Sequence, residues 1–534
     1  MSTSSLFNMI EHIVPCSHIR EYPRATASGR DDPLELCVKQ YIPINNPDPQ
    51  PGDVTIIATH GSGLPKELYE PLFEDVVERS QQTNVRIRSV WIADCAHQGA
   101  SGIRNERKLG NDRLLYETEI GVLLLMISQH RGLTIAEICW QWCSTFARLV
   151  SSEDQLSLAP GSFRAHAQSV RQRSGFRGWE RTRALHYLIA EPLADFNALG
   201  YASTTDRHRP YTLLSLMHPR LFTSLILCEP VMDKCTESCQ GPTLTKLSTF
   251  RRDVWPSRED AVQAANKSYR KWDPRVLQRW NQHAFRELPT MIFPESEVAL
   301  ASGRPAENDP VNTDASSALS WNDMDMYRWF RDPGRELPVV DSSKMPVTLA
   351  TTKHQEVFSY LRPNYGSEHM AEHISGTLPD ANTSPNVVEV DRLFHPDVIG
   401  PPGAVTPFYR AEPIIAHMAL PHVRPSVLYI FGGRSPVSLP HQREDKLSRT
   451  GTSVGGNGGA DAGRVKSILI GKAAHLAPME ATGACAEAIV PWLVEQLDGW
   501  KSDEVKVSRG WAERSLKEKA TVSEEWTGRV RSLL

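Results

Sequence analysis

The sequence predicts an α/β protein, a mostly parallel sheet flanked by helices with a long helical segment inserted late in the chain. Three observations predict it. Strand, loop, helix and strand succeed one another over residues 33–94, apolar strands return near the C-terminal end, and the stretch between is helical, irregular and rich in Trp, Pro and charge.

Leu34-Glu-Leu-Cys-Val-Lys-Gln-Tyr41 and Val54-Thr-Ile-Ile-Ala-Thr59 read as strands, because each is apolar and β-prone and a Pro/Asn/Gly loop separates them. Leu68, Leu72, Val76 and Val77 share one face of a helix predicted over residues 67–79. A strand follows over Val85–Ala93 and ends at Asp94. The pattern resumes with a short helix, the turn Met217-His-Pro-Arg220 and a strand, Ser224–Cys228. Strands return at 425–431 and 464–470, and a helix is predicted over 483–497. The expected organisation is a first core segment over 1–232 (with 113–210 atypical), a helical lid over 233–420, a second core segment over 421–500 and a charged tail over 501–534.

Composition narrows the class of function. The chain has 534 residues, 40% hydrophobic and 23% charged, which suits a large globular core. A net charge of -4 with no long basic run gives no pull toward nucleic acid or an anionic membrane. Nine cysteines show no paired pattern, and Cys235 and Cys239 have no His/Cys cluster around them, so neither disulfides nor zinc are expected. No secretory signal is recognised at the N-terminus, and Ile120–Ile127 is too short to span a bilayer. An intracellular, cytoplasmic protein is expected. The C-terminus, Arg531-Ser-Leu-Leu534, loosely matches a peroxisomal Ser-Lys-Leu address without its basic middle residue, which makes the peroxisome the alternative.

Two loops carry the chemistry. The first strand-to-helix turn, His60-Gly61-Ser62-Gly63, offers backbone N–H groups where an oxyanion forms, with Gly61 and Ser62 as the candidates. His475 follows an apolar strand near the C-terminal end and precedes a helix, the chain position of the base in a Ser…acid…His hydrolase. An acid to orient it should follow one of the later strands. The strand ending Phe431-Gly-Gly-Arg-Ser-Pro-Val offers none, whereas Cys228-Glu229-Pro230 does, so Glu229 is the expected acid. A structural histidine and a strand-end carboxylate are the plainer readings of each residue taken alone. No Gly-x-Ser-x-Gly nucleophile elbow occurs.

These stretches carry a resemblance. The chain resembles the fungal α/β-hydrolases of toxin and polyketide clusters, the group of the mycophenolic-acid acyl-CoA hydrolase and the host-selective-toxin hydrolases. The matching segments are Thr59–Leu72, Ala96-His-Gln-Gly-Ala-Ser101, Asn111-Asp112, Leu216–Leu227, Thr352–Pro363, Gly451–Gly459 and His475-Leu-Ala-Pro-Met-Glu480. The resemblance implies an α/β-hydrolase fold and hydrolysis of an acyl ester or acyl-CoA thioester in fungal secondary metabolism, by a hydroxyl, Glu229 and His475.

It breaks between Arg113 and Pro210, where the family has Gly-His-Ser-Met-Gly-Gly. Counting back from Met217 places Thr205 at the nucleophile, with Ser203 as the rival if the turn is shifted; neither has flanking glycines. Asp206 lies one residue off the place an Asp nucleophile needs. Residues 113–210 hold eleven Arg and no Lys. Intron-derived sequence, an insertion that abolished catalysis, and a divergent elbow all fit that composition.

In the lid, Trp272, Trp280, Trp329, Phe358 and Tyr360 are candidates for an acyl pocket or for core packing. Lys353, His354 and Gln355 are polar candidates there. Gly455–Gly459 lacks the Lys-Ser/Thr of a nucleotide loop. No metal or organic cofactor is indicated. The expected partner is a small-molecule acyl ester or acyl-CoA substrate, with no nucleic acid, no transmembrane segment and self-association open. The rival reading is a catalytically inactive hydrolase-fold binding protein.

Overall fold

The computed structural model describes residues 6–16, 25–27, 33–50, 52–111, 198–202, 212, 214–216, 221–234, 241–294, 345–363, 408–409 and 412–533. Eight strands form one sheet: β1 (Phe7–Pro15), β2 (Glu35–Pro43), β3 (Val54–Thr59), β4 (Ile87–Ala93), β5 (Ala198–Ala202), β6 (Phe222–Cys228), β7 (Ser426–Gly432) and β8 (Val465–Ile470). Their order is β1-β2-β4-β3-β5-β6-β7-β8. The β1–β2 and β2–β4 pairs are antiparallel and every later pair is parallel. This is the α/β-hydrolase order.

Every residue of β3 and β7 is buried, as expected of central parallel strands covered on both faces. Helix α1 (Glu70–Ser80) and the buried half of a long C-terminal helix cover one face, where Leu72, Val76, Ile489 and Leu493 share a core with Ile56, Val90 and Ile430. A second core on the opposite face joins Trp91, Leu225, Tyr429, Ala416 and Leu420. Helix α2 (Gly99–Asn105) docks on β2 through Ser101 and Asn105, which bond the Cys37 and Glu35 amides at 2.8 and 2.9 Å.

The segment after β6 contributes α3 (Gly241–Thr249), α4 (Arg258–Ser268), α5 (Pro274–His283) and α6 (Lys353–Tyr360). It is not wholly helical: Val254–Trp255, Val347–Leu349 and Phe285–Glu287 form a small antiparallel sheet. Trp272 stacks on Tyr269 at 4.2 Å, Trp280 meets Trp272 and Phe285 edge-on, and all are sequestered with the main core. Trp272 and Trp280 thus pack this segment onto the core. Helix α5 is fastened to α1 by Arg275, which holds both oxygens of Asp75 at 2.7 and 2.9 Å, and by Arg279, 2.6 Å from Glu70. Asp273 and Pro274 start α5 as N-cap and first residue.

Beyond this lie α7 (Glu412–Ala419), α8 (Pro440–Arg449), α9 (Ala477–Glu480) and α10 (Thr482–Ala512). Helix α10 continues well past the expected end near Leu497, and its second half is exposed, as are the two short helices Leu516–Ala520 and Glu524–Arg531. Strand β1 had no clear signal in sequence. It is an edge strand that exposes Met9, Ile10 and Ile13, so it lacks the apolar-in, polar-out alternation by which half-buried strands are recognised. Among the described residues no helix is long and apolar enough to cross a membrane.

Candidate active site

Glu229 ends β6 and is fully buried. Its backbone lies at φ 53°, a left-handed conformation that costs a non-glycine residue roughly 1–2 kcal/mol. That turn carries the side chain across the end of β7 while its own N–H bonds Ile430 O at 2.9 Å. There the carboxylate accepts from the Gly432 amide, from the Ser435 hydroxyl and from the Ser438 hydroxyl at 2.8 Å. Its Oε2 lies 3.1 Å from Nδ1 of His475. A buried carboxylate needs such donors, since burial without them is prohibitive.

His475 follows β8, and its side chain is 14% exposed. With Nδ1 facing Glu229, Nε2 is buried and has no hydrogen-bond partner among the described residues. An imidazole so placed carries its proton on Nδ1 and offers Nε2 as a base. The loop that presents it passes directly over Gly432, where a Cβ would lie 2.2 Å from the Ala474 carbonyl oxygen. Glycine is required there for the close approach. Ser435, Ser438 and Gly432 were missed in sequence; Gly432-Gly-Arg-Ser435-Pro-Val-Ser438 after β7 was noted only for holding no acid.

The first candidate loop is tightly built. Gly61 N–H donates to the Tyr69 hydroxyl at 2.8 Å, and Gly63 N–H to Gln98 Oε1 at 2.8 Å. Ser62 is buried. His60 is structural: Cys95 N–H donates to its Nε2 at 3.2 Å, which puts the ring proton on Nδ1, bonded to Gly61 O at 2.8 Å. Below lies a buried ion cluster in which Lys66 bonds Asp94 at 2.5 Å and Glu67 at 3.1 Å, and Lys39 reaches Glu67 at 3.1 Å. Burial opposes the Lys66 charge, but Asp94 and Glu67 hold its ammonium well above the ordinary lysine range. Burial likewise opposes ionisation of Glu67, yet Lys66 and Lys39 hold its carboxyl well below the usual range. Burial pushes Asp94 up.

The two nucleophile candidates, Ser203 and Thr205, lie outside the described residues, as does Trp329. Strand β5, which ends at Ala202, is described and falls within the atypical stretch 113–210. It pairs with β3 on one side and β6 on the other, Ala202 opposite Thr59 and Leu227. The chain thus enters residues 203–205 from a strand whose neighbours lead to His60-Gly61 and to Glu229.

The polar lid candidates hold structure. Lys353 pairs with Asp253 at 3.3 Å, and Gln355 bonds Gly110 O at 3.1 Å. Burial shifts His354 toward its neutral form. Tyr360 is buried and donates to Glu356 at 3.1 Å, and Glu356 also pairs with Arg251. A Cβ at Gly63 would lie 2.7 Å from Glu356, so α6 sits directly on the His60–Gly63 loop.

Sheet order, a strand-end acid and a histidine after the last strand define an α/β-hydrolase. No protein-family profile matches the chain. The type I acyl-CoA thioesterase mpaH′ of Penicillium brevicompactum is 31% identical over 532 residues, covering 98% of this chain and 95% of that protein. The type I acyl-CoA thioesterase mpaH of Penicillium roqueforti is 30% identical over the same shares. An abhydrolase domain-containing protein of Alternaria alternata, AFT2-1, is 23% identical over 60% of this chain and 93% of its own length. Among solved structures, the peroxisomal α/β-hydrolase Lpx1 of Saccharomyces cerevisiae matches 97% of this chain and 100% of its own, with TM-score 0.52 and 13% identity, which supports the fold. The chain belongs to the family of these fungal mpaH-type hydrolases. It is a hydrolase of fungal secondary metabolism.

Proposed function

We propose that the protein hydrolyses an acyl-CoA thioester, with an acyl ester as the close alternative, through a hydroxyl nucleophile, His475 and Glu229. The observation that carries the reading is the buried Glu229–His475 pair, which leaves Nε2 as the base. A hydroxyl from the residues that follow β5, Thr205 or Ser203, attacks the acyl carbonyl as its proton passes to His475 Nε2, and Glu229 stabilises the imidazolium. The negative charge on the carbonyl oxygen is held at the loop of Gly61 and Ser62 and by the amide after the nucleophile. At Gly61 the oxyanion replaces the Tyr69 hydroxyl. The C–S bond then breaks, Nε2 returns the proton to sulfur, and water activated by the same nitrogen releases the acid. The names of the mpaH relatives support the thioester substrate.

The protein is proposed to act inside the cell, in the cytoplasm, with Arg531-Ser-Leu-Leu534 as a peroxisomal alternative. The test is labelling by a fluorophosphonate probe together with turnover of a panel of acyl-CoAs. Labelling of residue 205 or 203 that is lost in His475→Ala supports the reading. An unlabelled, inactive wild-type protein that binds acyl-CoA cleanly supports the inactive binding protein instead.

A further inference from the structure

The turn between α4 and α5, together with α9, borders a cavity of about 560 Å³ that is open to solvent. Its lining includes Lys267, Arg270 and Lys271, the stacked Tyr269–Trp272 pair, and Glu480. Lys267, Arg270 and Lys271 place three cations within five residues. None of the three makes an ion pair among the described residues. Lys267, in the last turn of α4, offsets the negative end of the helix dipole, which accounts for that residue alone. Arg270 and Lys271 lie past the helix end and have no such role.

The cavity is built into the catalytic framework. Glu480 accepts from the Ala474 amide at 2.9 Å, so the wall of the cavity is braced against the residue preceding His475. Asp273 N–H bonds Met479 O at 2.8 Å, and Thr482 bonds Asp273 at 3.0 Å, which fixes the basic turn to the helix after the histidine. Position then has a chemical meaning. In an acyl transfer the imidazole protonates the departing atom, so the leaving group must depart on the histidine side of the site.

We propose that this cavity receives the phosphorylated adenosine end of CoA, the leaving group, and so selects CoA thioesters over short thiol esters. The inference rests on the thioesterase reading above. Arg270 bonds phosphate oxygens in a bidentate fork, Lys267 and Lys271 act as point charges, and the half-buried Tyr269, backed by Trp272, supplies an apolar surface for the purine. Glu480, committed to the Ala474 amide, keeps the anion toward the basic wall.

The test compares an acyl-CoA with the same acyl group on N-acetylcysteamine, which lacks every phosphate. In the full-length Lys267→Ala/Arg270→Ala/Lys271→Ala variant, KM for acyl-CoA relative to the N-acetylcysteamine ester rises about tenfold or more, and wild-type selectivity declines with added salt. Lys271→Glu provides the same comparison if the triple variant does not fold. Unchanged selectivity overturns the inference and leaves the hydrolase reading standing. If wild-type protein hydrolyses neither ester, the thioesterase reading fails and titration calorimetry with adenosine 3′,5′-bisphosphate decides. Binding that weakens in the variant supports a phosphate-recognising cavity, and no binding to wild-type protein overturns it.

Discussion

Nδ1 of His475 lies 3.1 Å from Oε2 of Glu229 across 246 residues of sequence, and the carboxylate's other hydrogen bonds come from the end of β7 and the turn after it. The acid on one strand end is thus held by a second strand end and orients a histidine from a third.

Glu229→Gln preserves an oxygen for the Gly432 amide and Ser438 but presents an amide NH2 to Nδ1 and Ser435, which fixes the imidazole in the wrong tautomer. Turnover should fall by roughly 10³–10⁴ with little change in KM. Steady-state kinetics on the best acyl thioester, beside an unchanged circular dichroism spectrum, checks this. A loss under tenfold would remove Glu229 from the catalytic machinery.

Gly432→Ala puts a methyl where the Ala474 carbonyl oxygen now sits. The histidine loop must move while the segment after β6 is untouched. The expected outcome is a fall in kcat of about 10² or more, the scale at which a small displacement of a catalytic group is felt, with KM within about twofold.

Lys66→Met leaves Asp94 buried with its countercharge removed. Breaking such a pair from one side typically costs about 3–5 kcal/mol. Urea unfolding should register the loss, because the turn after β3 loses its anchor to the end of β4.

Acid should weaken the same cluster through Glu67. Its carboxyl is held below its unfolded value near 4.5, so the stability it contributes is present above that pH and disappears as pH falls through the depressed folded value. Asp94, pushed up by burial, has the opposite sign, favouring the folded state as pH falls. Comparing wild type with Glu67→Gln isolates the first effect. The difference in unfolding free energy between them should be greatest near neutrality and shrink below about pH 4.5.

Much of the frame was legible because central strands are continuous apolar runs: Val54–Thr59, Leu225–Cys228 and Val427–Phe431 announce themselves without tertiary context. Glu229 and His475 were legible as residues just past such runs. Their partners were not. Ser435 and Ser438 become donors to Glu229 only because β6 and β7 are adjacent, and adjacency is a property of sheet order rather than of any short segment. The Lys66–Asp94 pair has the same origin, since the ends of β3 and β4 meet only once the strands pair. Trp272 and Trp280 were ambiguous because an aromatic has the same composition in a pocket or a core. Strand β5, Ala-Leu-Gly-Tyr-Ala, has no β-branched residue and lies in a stretch of foreign composition, so its periodicity carried little signal.

The central place of β5 bears on how the chain is made. β3 emerges from the ribosome beside β4, but its other neighbour begins at Ala198, so synthesis must continue for roughly ten seconds before that flank can be closed. Throughout that interval the nascent protein exposes an apolar, unpaired strand edge, the feature that invites intermolecular pairing. Yield in a heterologous host should therefore depend on chaperone supply and translation speed more than on the final stability of the folded enzyme.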